Sequence, residues 1–511
     1  MKQPKNESYH GFQRAGIRLS KDPLPDIVTH SSENELPLLY ACHMFDKAHL
    51  VMLAEESIIP RKDAALMLAA LRDMEQDGIE KVRLEVGGGV HSGEHYLINT
   101  LSEDIGGRIH LGRSSGDLDK VAERIKQRDE LLNLMDAVNE FREVVLKVAG
   151  VNVETVMPGY THGQHAQPTT FGHYLLAWAA VLSRDFQRLE SVFHRVNRSP
   201  AGAAIMTGTN FPVNRHRTAE LLGFENPSEN TLDAIHNTDD LIEVFSMVAL
   251  LHTSIAKWAE DLILWSGNEI KMVELPDRFC GTSSILVQKK NPYALEHIRG
   301  AAAETVGGLM TSFFGEKGPT GLSVFSRKFH SYQALSRSLG NLLRDLRWMT
   351  GLVPALKLDK ALMGQRAGAF WAQATDIAGA MVRDKGCSWR TAHQISGILV
   401  RRCLERGVKP HEVTGAMLDE ASVEYMGEPI GISEESLRKS LDPLEFVRGR
   451  TLYGGPAPEE SRKRIEAHSG NLERDREAVA EMRRHIEEAG GKLERAIDDI
   501  IDSTTNRSDS G

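Results

Sequence analysis

NTLDAIHNTDDLIEVFSMVALLHTSIAKWAEDLILWSGNE, residues 230–269, runs about forty residues with no proline and no glycine before Gly267. Those are the two residues that end helices most readily, so the stretch predicts one helix from Asn230 to Glu269. At about 1.5 Å per residue it spans about 60 Å, whereas the mean globular helix has about 11–12 residues. Two neighbours share the pattern. Phe171 to Val196 places Leu175, Leu176, Trp178, Ala179, Leu182, Phe186 and Leu189 at amphipathic spacing, and Asn291 to Gly315 is again free of proline after Pro292. Asp117 to Gly150 is a further long helix without proline. Helices of this length bury their apolar faces only against each other, which predicts an all-α protein built on an elongated bundle.

Shorter elements flank the bundle. Residues 1–35 are polar and carry Pro23 and Pro25, which reads as an extended arm. From Pro37 the apolar spacing turns helical through Leu38, Leu39, Cys42 and Phe45, and Arg61 to Asp77 repeats it with Leu66, Leu68, Leu71 and Met74. The Gly87-Gly88-Gly89 run reads as a turn and not a phosphate cradle, because no strand precedes a GxxxxGK[ST] pattern. Met157 to Pro168, interrupted by Pro158, Gly159, Gly163 and Pro168, reads as irregular. After Leu356 the helices shorten; Val382 to Gly386 ends one, and Pro410, Pro429 and Pro443 separate others. Glu459 to Asp499 is a charged helix, and the last dozen residues read as disordered. The division expected is an arm and helical domain over 1–112, a long-helix domain over 113–360, and a small helical domain with a charged tail over 361–511.

The chain has 511 residues, 41% apolar and 26% charged, with a net charge of -10. That is the composition of a soluble globular protein, and the charge disfavours nucleic-acid binding. An anionic ligand needs a locally basic pocket. Cys42, Cys280, Cys387 and Cys403 form no CxxC pair and read as reduced thiols of a cytoplasmic protein. The first residues lack an apolar signal core, and the longest strongly apolar run, Leu175 to Leu182, is too short to span a membrane.

Three polar clusters interrupt the helices. Arg108 to Asp117 places hydroxyls and free N–H groups at a helix start, either as an anion site or as an N-cap by Ser115 or Asp117. Thr161 to Pro168 holds His162 and His165, but Gly163 and Pro168 spoil a helical ligand pair, so a general acid or base is expected there and no metal. Cys280 to Pro292 leads a small, flexible Gly281-Thr282-Ser283-Ser284 head through three apolar residues into Gln288-Lys289-Lys290-Asn291. Such a segment can bring a serine oxygen to a carbon acid while a lysine and an amide hold its carboxylate. Glu296, a turn into the next helix, is placed to orient His162.

In this order the clusters resemble the fumarase/aspartase superfamily, most closely its argininosuccinate lyase family. The first family motif reads approximately Gly-Arg-Ser-Arg-Asn-Asp, against Gly112 to Asp117 here. The second is Thr-His-x-Gln-x-Ala-Gln-Pro, matched at every fixed position from Thr161 to Pro168. The third is Gly-Ser-Ser-Ile-Met-Pro-Gln-Lys-Lys-Asn-Pro, against Thr282 to Pro292. The resemblance extends over about residues 38–460 and implies a homotetramer whose central domains form a twenty-helix bundle. Each site would be assembled from three subunits, without cofactor or metal. The implied reaction is reversible β-elimination of an amine from an N-substituted aspartate to give fumarate. Ser283 would be the base; Lys289 and Asn291 would stabilise the aci-carboxylate; His162, paired with Glu296, and Thr161 would serve the carboxylate and the leaving amine. Arg113, Ser114, Ser115, Ser284 and Gln288 would contact substrate.

The chain departs from the family around that core. The arginine and asparagine of the first motif are Ser115 and Gly116, and the methionine and proline of the third are Leu286 and Val287. A Gly-Ser before Ala-His is Phe45-Asp46, the Glu-Asp of Glu-Asp-x-His is Ser92-Gly93, and a later tyrosine is Ser323. The chemical core stays while the groups around the substrate change; Ser115, Gly116 and Ser323 open space and remove charge at the amine end, which predicts that argininosuccinate is a poor substrate, an aminopolycarboxylate amine being one replacement. The alternatives are argininosuccinate lyase proper, or a non-catalytic protein on the same fold, as in lens crystallins.

Overall fold

A computed structural model of the chain describes residues 20–21, 35–321 and 327–508. Most of the expected arm, and Ser323, lie outside the described residues. The protein is all-α. Leu39–Glu55 (α1), Arg61–Asp77 (α2), Ile79–Glu85 (α3) and Ser92–Thr100 (α4) precede the bundle. The bundle consists of Ser115–Gly150 (α5), Phe171–Val196 (α6), Asp239–Ser266 (α7), Tyr293–Glu316 (α8) and Tyr332–Leu352 (α9). Strands among the described residues form only two-stranded ribbons.

α5 packs on α6 and α9, and α7 on α6, α8 and α9. The apolar stripe read in 171–196 is the reason. Trp178 of α6 stacks on Trp258 of α7 at 4.5 Å between ring centroids, and Phe141 of α5 meets both at 6.3 Å. Each of these fully buried aromatic side chains contributes about 1.5–3 kcal/mol by leaving water. One polar group crosses the same core: His252 Nε2 lies 2.8 Å from Asp345 Oδ2, and its Nδ1 lies 2.9 Å from Thr305 Oγ1. All three side chains are fully buried, and they tie α7, α9 and α8 to one register.

The single helix expected over 230–269 is two. Thr231–His236 stops at Asn237, whose backbone is extended, and α7 starts at Asp239. The cause is polar competition with the helix ladder. Asn237 Oδ1 accepts the Thr238 N–H, and the buried Lys120 ammonium donates to the Asn237 carbonyl from α5 at 3.0 Å. α7 is nevertheless long and apolar enough to cross a membrane by length and composition, more so than the Leu175–Leu182 run; half of its most apolar window is buried within the chain.

A second, smaller core gathers Ile377, Met381, Ile395, Leu399, Leu418 and Leu437. They come from Ala374–Lys385 (α11), Trp389–Arg406 (α12), Gly415–Met426 (α13) and Glu434–Leu441 (α14), which follow Lys360–Ala367 (α10) and precede Pro443–Arg448 (α15). α11 ends where Val382–Gly386 predicts, with Gly386 left-handed at φ +68°. The tail helix, Pro458–Ser508 (α16), belongs to the first core instead. Its Leu472, Val479, Leu493 and Ile497 pack there, and its charges pair with α5 and α1 through Arg142–Asp475 and Lys47–Glu494, both 2.5 Å. The helix continues to Ser508 through most of the dozen residues expected to be disordered; residues 509–511 lie outside the described ones.

His252→Ala leaves the Asp345 carboxylate oxygen buried without that partner and opens a cavity, so a loss of about 3–5 kcal/mol is expected. Urea unfolding measures it, with far-ultraviolet circular dichroism unchanged before the transition. A midpoint equal to that of the unsubstituted protein would show that the cross-bundle contact contributes nothing.

Candidate active site

The first cluster is a turn held from inside. Gly112 has φ +73°, and a Cβ there would come within 2.7 Å of Val213, so the turn into α5 requires glycine. Ser114 is the N-cap of α5. Its N–H donates to Asp117 Oδ2 at 2.8 Å, and its Oγ accepts the Gly116 N–H at 3.1 Å, a reciprocal capping box. Capping therefore falls to Ser114, with Asp117 as its partner and Ser115 exposed at the first helical position. The Arg113 guanidinium turns inward. Nη1 donates to Asp46 Oδ1 at 2.7 Å, while Arg83 Nη2 donates to Asp46 Oδ2 at 2.5 Å. Burial works to raise the Asp46 carboxyl, but the charges of Arg113 and Arg83 outweigh it and hold the group below the usual carboxylate range.

This carboxylate explains two departures together. A Cβ on Gly93 would run into the Asp46 carboxylate, and Ser92 Oγ accepts from Arg83 Nη1 at 3.2 Å. Asp46 thus supplies an acid in the helical domain while Ser92-Gly93 gives up two, and the exchange leaves room for the new side chain. The sequence marked these positions as changed; that they touch is visible only in the structure.

The second cluster is ordered, against the irregular reading. Val156–Thr161 (β1) and Gln164–Thr170 (β2) form an antiparallel hairpin with Thr161 opposite Gln164. His162 and Gly163, at φ +55° and +70°, make its two-residue tip, the left-handed pair that twisted hairpins favour. Gly159 marks the bulge: a Cβ there would lie 2.6 Å from the Gln167 carbonyl. The hairpin rests on α10 and α15 and presents Thr161 and His162 to solvent. Among the described residues no hydrogen bond or ion pair joins His162 to Glu296 within one chain.

The third cluster is an anchored loop. Gly281–Thr282 (β3) pairs with Lys290–Asn291 (β4) and closes a loop from Ser283 to Lys289. The Tyr293 ring lies across Gly281, where any Cβ would collide with it. Lys290 is the anchor: its Nζ donates to the Leu275 carbonyl at 2.6 Å and meets Asp277 at 2.5 Å. Lys289, Ser284 and Gln288 are exposed, and Asn291 is half-buried. Ser283 Oγ receives the Leu286 N–H at 3.0 Å and the Ile285 N–H at 3.4 Å. Two backbone donors aimed at one hydroxyl oxygen stabilise it when it bears negative charge. Glu296 lines an open trough of about 540 Å³ with His297, Glu304 and Arg344, on the face shared by α8 and α9.

Within one chain these groups do not meet. Ser114 starts α5 and the hairpin follows its end, so 36 residues of helix, about 54 Å, separate them. The serine loop follows α7, whose Trp265 contacts Tyr174 at the start of α6, just after the hairpin. Loop and hairpin therefore leave the bundle at one end and the Ser114 turn at the other.

A family model described as "Lyase" matches residues 19–307, and one described as "Argininosuccinate lyase C-terminal" matches residues 371–448. The argininosuccinate lyase of Methanosarcina acetivorans is 36% identical over 471 residues, which is 91% of this chain and 94% of that one. The chain belongs to this lyase family. It is a lyase, related to the argininosuccinate lyases within the fumarase/aspartase superfamily. Among solved structures, EDDS lyase in complex with formate superposes with a TM-score of 0.85 at 29% identity, covering 94% of this chain and 97% of that one. An EDDS lyase variant with bound fumarate gives 0.84 at 29% identity, covering 95% and 97%.

One group of side chains escaped the sequence reading. His91, Glu94 and His110 converge beside the Arg113 turn. Burial pushes the Glu94 carboxyl up, but hydrogen bonds from His110 and His91 outweigh it and hold it at about 2. The order His91-x-x-Glu94-His95 was the signal available.

Asp46→Ala strands two buried guanidinium groups and is expected to cost about 3–5 kcal/mol. Asp46→Asn, which keeps the shape and removes the charge, should cost most of that. A loss below about 1 kcal/mol in urea unfolding, the range of an exposed ion pair, would mean that the arginines have other counter-charges.

Proposed function

We propose that the protein is a carbon–nitrogen lyase that eliminates an amine from an N-substituted aspartate and releases fumarate. Ser283 Oγ takes the proton from Cβ. The C–H electron pair becomes the new C=C bond, and the bond from the neighbouring carbon to nitrogen breaks. The amine leaves with its electron pair and gains a proton. Lys289 and Asn291 hold the carboxylate as it gains charge, with Gln288 and Ser284 closing over it. His162, oriented by Glu296, and Thr161 serve the leaving amine and the second carboxylate. Arg113, Ser114 and Ser115 form the far wall, Arg113 by holding the turn through Asp46. The observation that carries this reading is the pair of backbone N–H groups on Ser283 Oγ, because a serine is otherwise too weak an acid to serve as a base near neutral pH.

The working unit in this reading is a homotetramer with sites shared by three subunits. Its support is the separation of about 54 Å along α5 and the unpartnered apolar stripe of α8. There Val306, Met310, Phe313 and Phe314 are exposed in the single chain. A cytoplasmic setting fits the four free thiols, and the elimination itself calls for no cofactor.

For the amine, we favour one bulkier or less basic than arginine, such as an aminopolycarboxylate. Ser115 and Gly116 replace a cation and an amide, and the Arg113 charge is already matched by Asp46. The likeness to EDDS lyase, whose name marks a different substrate, supports this. The identity to argininosuccinate lyases favours the second reading, argininosuccinate itself.

Ser283→Ala and His162→Asn should each lower turnover by about 100-fold or more. Mixed tetramers of the two inactive variants should regain part of the activity. Mixed tetramers confirmed by mass spectrometry yet inactive would mean that the His162 and Ser283 of one site come from the same chain.

Losing two hydrogen bonds to charged groups, at about 1.5–3 kcal/mol each, lowers kcat/KM by about 10²-fold or more. Argininosuccinate should therefore be turned over poorly beside a panel of N-substituted aspartates, with fumarate absorbance as the readout. A kcat/KM of about 10⁴ M⁻¹s⁻¹ or more for argininosuccinate would make the second reading correct.

A further inference from the structure

The trio of His91, Glu94 and His110 is assigned no part in the elimination proposed above. Glu94 lies in the first turn of α4 and is 5% exposed. His91 is the N-cap residue of that helix, and His110 ends the segment that returns past it, three residues before Arg113. Glu94 Oε2 stands 3.0 Å from His110 Nδ1 and 3.4 Å from His91 Nδ1. One ligand atom from each residue lies within 4.8 Å of the others, and the two imidazole rings stack at 5.3 Å.

We propose that these three side chains form a binding site for a divalent transition ion of the Zn²⁺ class. Two ligands about 2.0–2.1 Å from a tetrahedral zinc ion stand about 3.3–3.4 Å apart. The two Glu94 separations, 3.0 and 3.4 Å, already bracket that value, and the third, between the two imidazoles, lies within 4.8 Å and closes by rotation of the partly exposed rings. Two imidazoles with one carboxylate suit Zn²⁺, Co²⁺ or Ni²⁺, whereas Mg²⁺ and Ca²⁺ prefer oxygen alone. Three protein ligands leave a fourth position for water. The partly exposed His91 and His110 give the ion a way in from solvent.

The surroundings agree with this reading. Arg113 is a neighbouring cation that would oppose a second positive charge, and its charge is matched by Asp46. A bound ion would join the start of α4 to the chain just before Arg113 and Ser114. It would act as a clip on that turn, and the elimination chemistry does not depend on it.

The test uses the full chain without an affinity tag, stripped with chelator and titrated with Co²⁺ and then Zn²⁺. One ion per chain should bind with a micromolar dissociation constant or tighter. Co²⁺ should give visible absorption bands of a low-coordinate site, and Zn²⁺ should raise the melting temperature by a few degrees. His91→Ala and His110→Ala should each weaken binding by about tenfold or more, and the double variant should lose it with an unchanged circular dichroism spectrum. His110→Asn, at the more exposed position, provides the same comparison should an alanine variant misfold. No binding by the unsubstituted chain at micromolar ion would overturn the proposal. So would equal binding by the double variant, which would place the ion elsewhere, for example on the free thiols.

Discussion

A single unbroken helix of 36 residues sets the problem that the rest of the structure answers. α5 carries the Arg113–Ser114 turn at one end and delivers the chain to the His162 hairpin at the other. A helix cannot shorten, so functional groups attached to its two ends stay about 54 Å apart in any conformation of one chain. The three clusters are each well built locally, yet each is incomplete as a chemical site. Long helices that leave apolar side chains on α8 exposed, and clusters that are only partial, are two consequences of one architecture.

Each cluster is shaped by a device that leaves its polar groups presented and its backbone pinned. The hairpin tip spends two left-handed residues to project His162. The serine loop is closed by a two-residue ribbon and anchored by Lys290, which leaves Lys289 exposed. Two adjacent lysines look equivalent in the sequence. They differ because one reaches the Leu275 carbonyl and Asp277 and the other does not. The Ser114 turn is held by its own capping box and by Asp46 beneath it.

Asp46 links sequence divergence to local packing and charge. A carboxylate placed in the first helical domain neutralises Arg83 and Arg113 together. It fits because position 93 is glycine and position 92 is a small hydroxyl. Such a buried triad contributes less to net stability than to geometry, since desolvation offsets much of the Coulomb attraction. Its consequence is that the Arg113 guanidinium, part of the first motif, is committed inward. The His91–Glu94–His110 cluster lies beside the same turn, with Glu94 in the field of Arg113.

The sequence by itself determined what depends on neighbours a few residues apart. Helical periodicity bounded Arg61–Asp77 and Phe171–Val196 to the residue, because apolar spacing and flanking breakers are local signals. The order and content of the three polar clusters were likewise legible, and so was the family they resemble. The tertiary structure decided what depends on contacts between distant residues. Lys120 reaches across from α5 to the Asn237 carbonyl at the break in the forty-residue stretch. Cross-strand pairing turned 156–170, full of prolines and glycines, into a hairpin. Leu472 and Val479 drew the charged tail onto the first core, away from the small domain that precedes it. Asp46 with Gly93, and His91 with His110, are pairs whose members lie 47 and 19 positions apart in the chain; they became neighbours only when the first helices packed, since no local periodicity connects them.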